Sequence, residues 1–119
     1  MERILAALSA IRVAAQPEEY QIHEEIARAL DAAGLTYIHE YKLGPRRCID
    51  FLCGSVGIEA KKGKPDAARL RAQLTRYLEG DRLTGAIVVL QRPCALPERI
   101  CGKPVRALAL NRLWGVALP

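Results

Sequence analysis

No stretch of this chain approaches the ~20 consecutive apolar residues that a membrane-spanning helix requires, so a soluble protein is expected. The four cysteines lack the tight two-residue gap of common zinc knuckles: Cys48 and Cys53 are five apart, Cys94 and Cys101 seven. Cys48 and Cys53 also differ in strand parity, which aims them at opposite faces of a straight strand. Reduced thiols in an intracellular protein are therefore expected, with the cytoplasm as the default compartment. Internal repeats, low-complexity tracts and signs of a second domain are missing too. Acidic residues are scarce in the middle of the chain. Between Lys42 and Arg76 they number only Asp50, Glu59 and Asp66, against Lys42, Arg46, Arg47, Lys61, Lys62, Lys64, Arg69, Arg71 and Arg76.

What is there suffices for one folded domain over residues 1–119. Half of the 119 residues are hydrophobic, which supports a single modest core and argues against disorder. The net charge of +5 fits a polyanionic partner, nucleic acid or an anionic surface. Ile4, Leu5, Leu8 and Ile11 sit in a short apolar segment, but Glu2 precedes it, Arg12 closes it, and the spacing is helical. An amphipathic packing helix over residues 2–15, stopped before Pro17, is the better reading than a signal peptide. It is available either as a dimer interface or as a cap on a sheet.

Further along, the pattern alternates. A second helix is predicted over residues 18–33, with Ile22, Ile26, Ala29, Leu30 and Ala33 as its core stripe and Gly34 as a left-handed cap. Residues 36–43 read as a strand, with Tyr37, His39, Tyr41 and Leu43 on one face and Thr36, Ile38, Glu40 and Lys42 on the other. Residues 47–53 and 56–60 read as a hairpin turning at Gly54-Ser55. A helix follows over residues 66–78, with Asp66 near its start. Residues 85–90 form a continuous apolar run, the mark of a strand covered on both faces. Residues 105–110 read as a further strand, and the segment 91–104, with Pro93, Pro97 and Pro104, as irregular.

The hairpin carries the chemistry. Alternation points Glu59 and Lys61 the same way, and antiparallel pairing brings Asp50 near them. Alone, three such charges would most often be a solvated salt-bridge cluster. The basic surroundings change that reading. Two carboxylates can hold a cation at a scissile phosphate while lysines and arginines hold the phosphate backbone. Arg46, Arg47, Lys62, Lys64 and Arg69 are the candidates for those backbone contacts. His23 and His39 read as structural or surface residues, with no partner at a recognisable spacing.

Asp50, Glu59-Ala60-Lys61, and Gln73 and Tyr77 four apart on the next helix together resemble the PD-(D/E)XK nuclease superfamily over residues 18–90, especially its RecB-like and Holliday-junction-resolvase-like small members. The usual Pro before the first Asp is replaced by Ile49, a departure that the family commonly tolerates. The resemblance implies an α/β fold with a restriction-endonuclease-like core, α-β-β-β-α-β, a mixed central sheet flanked by helices, here with an extra N-terminal helix. It implies a metal-dependent nuclease: Asp50, Glu59 and the carbonyl of Ala60 would bind Mg²⁺, with Mn²⁺ able to substitute. Lys61 would stabilise the transition state or help to deprotonate water, and Gln73 would orient substrate or water. Tyr77 would contact the backbone of the nucleic acid or pack against Leu74, as aromatic residues at helical spacing usually do.

The family often adds a glutamate from the helix before the sheet. At 100° per residue, Glu19 falls about 40° from the centre of the core stripe, Glu25 about 80° and Glu24 about 180°, so Glu19 is the choice and Glu25 the second. The implied substrate is DNA, with RNA left open, cut in a structure-directed or weakly sequence-specific manner. Nucleases of this fold commonly act as dimers. The alternatives are an inactive nucleic-acid-binding module on the same fold, and a small α/β interaction protein whose charges are all surface.

Overall fold

Alternation and covered apolar runs place the sheet at the centre of the chain. A computed structural model describes residues 1–12 and 17–110. Its elements run α1 (Glu2–Leu8), α2 (Glu19–Ala32), β1 (Ile38–Gly44), β2 (Arg47–Cys53), β3 (Val56–Lys61), α3 (Ala67–Leu78), β4 (Gly85–Leu90), β5 (Arg99–Ile100) and β6 (Lys103–Ala109). The strands form one mixed sheet in the order β1-β2-β3-β4-β6-β5. β1, β2 and β3 pair antiparallel by hairpins, whereas β3, β4 and β6 run parallel. Parallel neighbours need a crossover, and α3 supplies the one between β3 and β4. β4 lies at the middle with every residue buried, as its unbroken apolar run requires.

Each face of the sheet has its own core. On one, Ile4 and Leu8 of α1 and Ile22, Ile26 and Leu30 of α2 pack with Phe51, Ile58, Ala60, Ile87 and Val89. On the other, Leu70, Leu74, Tyr77 and Leu78 of α3 pack with Ile49, Leu52, Val88 and Leu90. Each fully buried leucine or isoleucine contributes about 1.5–3 kcal/mol. α2 opens on a capping box, with the Glu18 amide donating to Gln21 Oε1 at 2.7 Å, and closes before Gly34 at φ +71. α3 is capped by Asp66, whose carboxylate accepts the Arg69 amide at 3.1 Å. Lys103 of β6 ties off the other end, donating from Nζ to the carbonyls of Leu78 and Gly80 at 2.9 and 2.6 Å.

Four expectations change. α1 ends at Leu8 and does not run on through Ser9 and Ala10: past it the Ala10 and Ile11 amides donate three residues back, to the Ala7 and Leu8 carbonyls, and the Arg12 guanidinium takes the carbonyls of Ser9 and Ile11. Residues 13–15 of the predicted helix lie outside the described residues. Thr36 and Tyr37 precede β1, and the strand does not keep the predicted faces: Tyr37 packs with the α2 core while Tyr41 and Leu43 pack with the α3 core. The segment read as irregular contains β5, which pairs with β6 through Arg99↔Pro104 and Ile100↔Lys103. β6 itself starts at Lys103 and ends one residue before Leu110.

Gly57 of β3 backs directly onto two buried side chains. A Cβ there would overlap Ile49 Cδ1 and lie 2.9 Å from Leu83 Cδ1, both in the α3-side core. Gly57→Ala is expected to lower stability by about 1–3 kcal/mol, the range for overpacking a filled core. A drop in the urea midpoint at unchanged slope checks this; an unchanged midpoint refutes it.

Candidate active site

The β2–β3 hairpin sets the two acids. Its paired register runs Cys53↔Val56, Leu52↔Gly57, Phe51↔Ile58 and stops there. One step further would put Asp50 opposite Glu59, but the backbones part and the side chains fill the gap. The Asp50 amide donates to Glu59 Oε1 at 3.1 Å, and the Ala60 amide donates to Asp50 Oδ2 at 2.8 Å. Each carboxylate thus accepts the amide that the ladder leaves open, so both acids are held as part of the sheet.

β1 departs from regular strand geometry at the same level. Glu40 lies between the pairs His39↔Phe51 and Tyr41↔Ile49, level with Asp50, and takes φ +57. That left-handed conformation costs a residue with a Cβ about 1–2 kcal/mol. Both strands turn over at this level. Ile49 packs on the α3 side and Phe51 on the α2 side, although strict alternation would put them together.

Burial governs the charges. Glu59 is only 4% exposed, and Lys61 Nζ stands 3.3 Å from its Oε2. Burial first, and the neighbouring Asp50 charge second, push the Glu59 carboxyl up to about 7 against the pull of Lys61.

From α2 the residue that reaches this pair is His23. Its Nε2 lies 3.5 Å from Asp50 Oδ2, an ionic separation that lacks hydrogen-bond geometry, and it is the one buried side-chain polar atom among the described residues without a hydrogen bond. Its Nδ1 is 3.0 Å from Nε2 of His39, whose ring stacks on Phe51 with centroids 4.5 Å apart. Reading the histidines as partnerless is therefore corrected. The signal lay in helical spacing: His23 follows Glu19 by four residues and shares its side of α2. Glu19 is exposed in the first turn, and Glu25 pairs with Arg28 at 2.7 Å.

From the other face, α3 sends Tyr77 inward. Its buried hydroxyl donates to the Cys48 carbonyl at 3.0 Å and accepts from Gln73 Nε2 at 2.9 Å. Burial, with the charges of Glu59 and Asp50, holds the phenol well above its ordinary range, so it stays a donor. Tyr77→Phe is expected to cost about 1–2 kcal/mol, since the Cys48 carbonyl and the Gln73 amide lose a partner. Equilibrium unfolding checks it, and a stability within 0.3 kcal/mol of wild type (~half an RT unit) would contradict it.

Gln73 then faces a cleft of about 340 Å³ lined by Lys61, Pro65, Asp66, Arg69, Leu70, Gln73 and Arg76. Arg69, Gln73 and Arg76 follow the i, i+4, i+7 spacing of one helical stripe. Behind Lys61 the Gly63 amide donates to Gln91 Oε1 at 2.6 Å, which fixes the loop leaving β3. Of the residues expected to touch a nucleic acid, Arg69 belongs to this cleft, and Arg76, not among them, joins it. Lys62 is paired with Glu18 at 3.1 Å. Lys64 is exposed on the same loop, and Arg46 and Arg47 sit at the β1–β2 turn, all outside the cleft lining.

No family model, curated protein or solved structure matches this chain. Among the described residues all four cysteines are free, and no group of three or more His, Cys, Asp or Glu stands arranged to hold a metal ion. No helix of the described residues is long and apolar enough to cross a membrane. The chemistry of the donors still suits a hard cation. Asp50 and Glu59 bring two carboxylates together, one buried at a cost that a cation would offset, and His23 Nε2 stands 3.5 Å from Asp50 Oδ2 without a hydrogen bond.

Proposed function

We propose that the protein is a metal-dependent nuclease hydrolysing phosphodiester bonds of DNA, built on a restriction-endonuclease-like core. The element order α2-β1-β2-β3-α3-β4 is that of the α-β-β-β-α-β unit implied by the sequence resemblance. The observation that carries the proposal is the pair Asp50 and Glu59, bonded across the parted strand ends with Lys61 3.3 Å from Glu59. Asp50, Glu59 and the Ala60 carbonyl would hold Mg²⁺ or Mn²⁺, with His23 Nε2 available beside them. Such an ion polarises the phosphate and lowers the pKa of a bound water.

The chain's own groups do the rest. The Lys61 ammonium, 3.3 Å from Glu59, would meet charge growing on the phosphoryl oxygens. Gln73, its amide oriented by the Tyr77 hydroxyl, would position the strand or the attacking water. Arg69 and Arg76 flank it on one stripe, suited to neighbouring phosphates of the same strand. One observation favours the second reading, an inactive binding module: among the described residues no three-donor group stands ready-made, so an ion would have to draw the donors together.

Incubation with single-stranded, duplex, flap and four-way-junction DNA, in Mg²⁺ and in Mn²⁺, separates the two. Cleavage that depends on the metal and on Lys61 supports the nuclease. Binding without cleavage of any substrate leaves the module.

A further inference from the structure

The first helix is not free to meet another chain, because Ile4 and Leu8 of α1 are committed to the core of their own chain. The sheet edges are the remaining candidates. At β1 the edge is blunted by Glu40, whose left-handed backbone interrupts the strand. The edge at β6 is regular. There β5 pairs only with Lys103 and Pro104, and the Val105 amide donates to the Glu98 carbonyl at 2.8 Å, away from β4. Backbone groups alternate sides along a strand, so Ala107 and Ala109 also turn their N–H and C=O groups away from β4. Among the described residues nothing bonds those groups. The Arg106 guanidinium closes the paired part by taking the carbonyls of Glu98 and Val105 at 3.2 and 3.0 Å. What remains is a short open row at residues 107–109, with Ala107 exposed and clefts of about 430 and 490 Å³ beside it.

We propose that this edge pairs with the same edge of a second copy, antiparallel about a two-fold axis at Leu108, so that the two sheets continue as one. The register uses the open groups. Ala107 of one copy faces Ala109 of the other and exchanges both N–H···O=C bonds with it, and symmetry repeats the exchange. The two Leu108 side chains meet at the axis, in the position between those pairs where Cα atoms come within about 4.5 Å. Leu108 is half-buried against the α2-side core, and the second copy covers more of it. Arg106 faces Leu110 of the other copy, so no like charges stand opposite each other. The neighbouring register, centred on Ala107, fits less well: it opposes Ala109 to Val105, whose carbonyl Arg106 already holds. Through the pairs Glu59↔Val88 and Val88↔Ala107, the acid pairs of both copies then stand nearly level with the axis, about 24 Å apart across the joined strands.

Sedimentation and ¹H–¹⁵N NMR of the full chain, over a dilution series from millimolar to micromolar, test the pairing without reference to cleavage. A monomer–dimer equilibrium is expected. The amide resonances of Ala107 and Ala109 should move upfield as the dimer dissociates, because each loses its hydrogen bond. Ala107→Pro removes an N–H that β4 does not use, a substitution that edge strands accept. It is expected to weaken dimerisation by about 10–100-fold, the loss of one hydrogen bond from each copy, with the circular dichroism spectrum unchanged.

A chain that stays monomeric at millimolar concentration overturns the proposal. So does a dimer whose dissociation leaves the Ala107 and Ala109 resonances in place, which would put the interface elsewhere. A folded Ala107→Pro that dimerises like wild type also overturns it; if that variant does not fold, the wild-type resonances give the answer. Another part of the same chain added to this edge would keep both amides bonded in the monomer, with resonances independent of concentration, and that result counts against the second copy as well.

Discussion

Lys61→Ala is expected to lower metal-dependent cleavage by about 10²–10³-fold, the loss typical of removing one preorganised charge at a developing oxyanion. Affinity for uncut DNA should change far less, because Arg69 and Arg76 remain in the cleft. Asp50→Asn sharpens the comparison. The asparagine oxygen can still accept the Ala60 amide, so the strand ends stay joined while one negative charge is lost. Cleavage should fall at least as far as in Lys61→Ala, with the circular dichroism spectrum and urea midpoint near those of wild type. Single-turnover cleavage of a preferred substrate, normalised to bound fraction, measures both. Rates within threefold of wild type (under ~1 kcal/mol) in either variant would remove these residues from the chemistry.

Glu59→Gln is expected to make the metal-free protein more stable above neutral pH and to flatten its pH dependence. An unfolded Glu59 ionises near 4.5, whereas burial and the Asp50 charge delay the folded one to about 7. Below 4.5 the group is protonated in both states, and its full contribution to stability is present. As pH rises from there to about 7 the unfolded chain gives up its proton first, and that contribution is lost. At about 1.4 kcal/mol for each tenfold change in proton affinity, the rise from 4.5 to about 7 amounts to about 3–4 kcal/mol. Glutamine keeps an oxygen for the Asp50 amide and has no charge to desolvate, although it gives up the attraction of Lys61. Urea unfolding in EDTA at pH 5 and pH 8 should therefore show a fall for the wild type and little change for the variant. Parallel profiles for the two proteins would refute the assignment.

Much of this arrangement is legible in the residues. Alternation along β3 puts Glu59 and Lys61 together, and the short turn after Cys53 brings Asp50 level with them. The unbroken apolar run of β4 marks the centre of the sheet, and Asp66 marks the start of α3. What could not be read depends on twist and on contacts distant in sequence. Alternation carried through Glu40 gives the wrong faces for β1, because a left-handed residue with a side chain is not signalled by its type. The His23–His39 contact spans sixteen residues and exists only once that turnover has put His39 on the α2 side. β5 hides among prolines, yet Cys101 and Gly102, at φ +53 and +73, make a two-residue hairpin turn, and Pro104 sits where the short pairing tolerates it.

The amides of Asp50 and Ala60 have a use of their own. Their hydrogens are shielded from solvent exchange by carboxylates, not by a neighbouring backbone. Anything that draws a carboxylate away, an arriving ion or a strand's phosphate, must unlatch its amide, while the amides of Phe51 and Ile58 one step along keep their ordinary protection. These two amides, ten residues apart in a deuterium-uptake map, thus serve as a built-in gauge of occupancy, read without any reaction taking place.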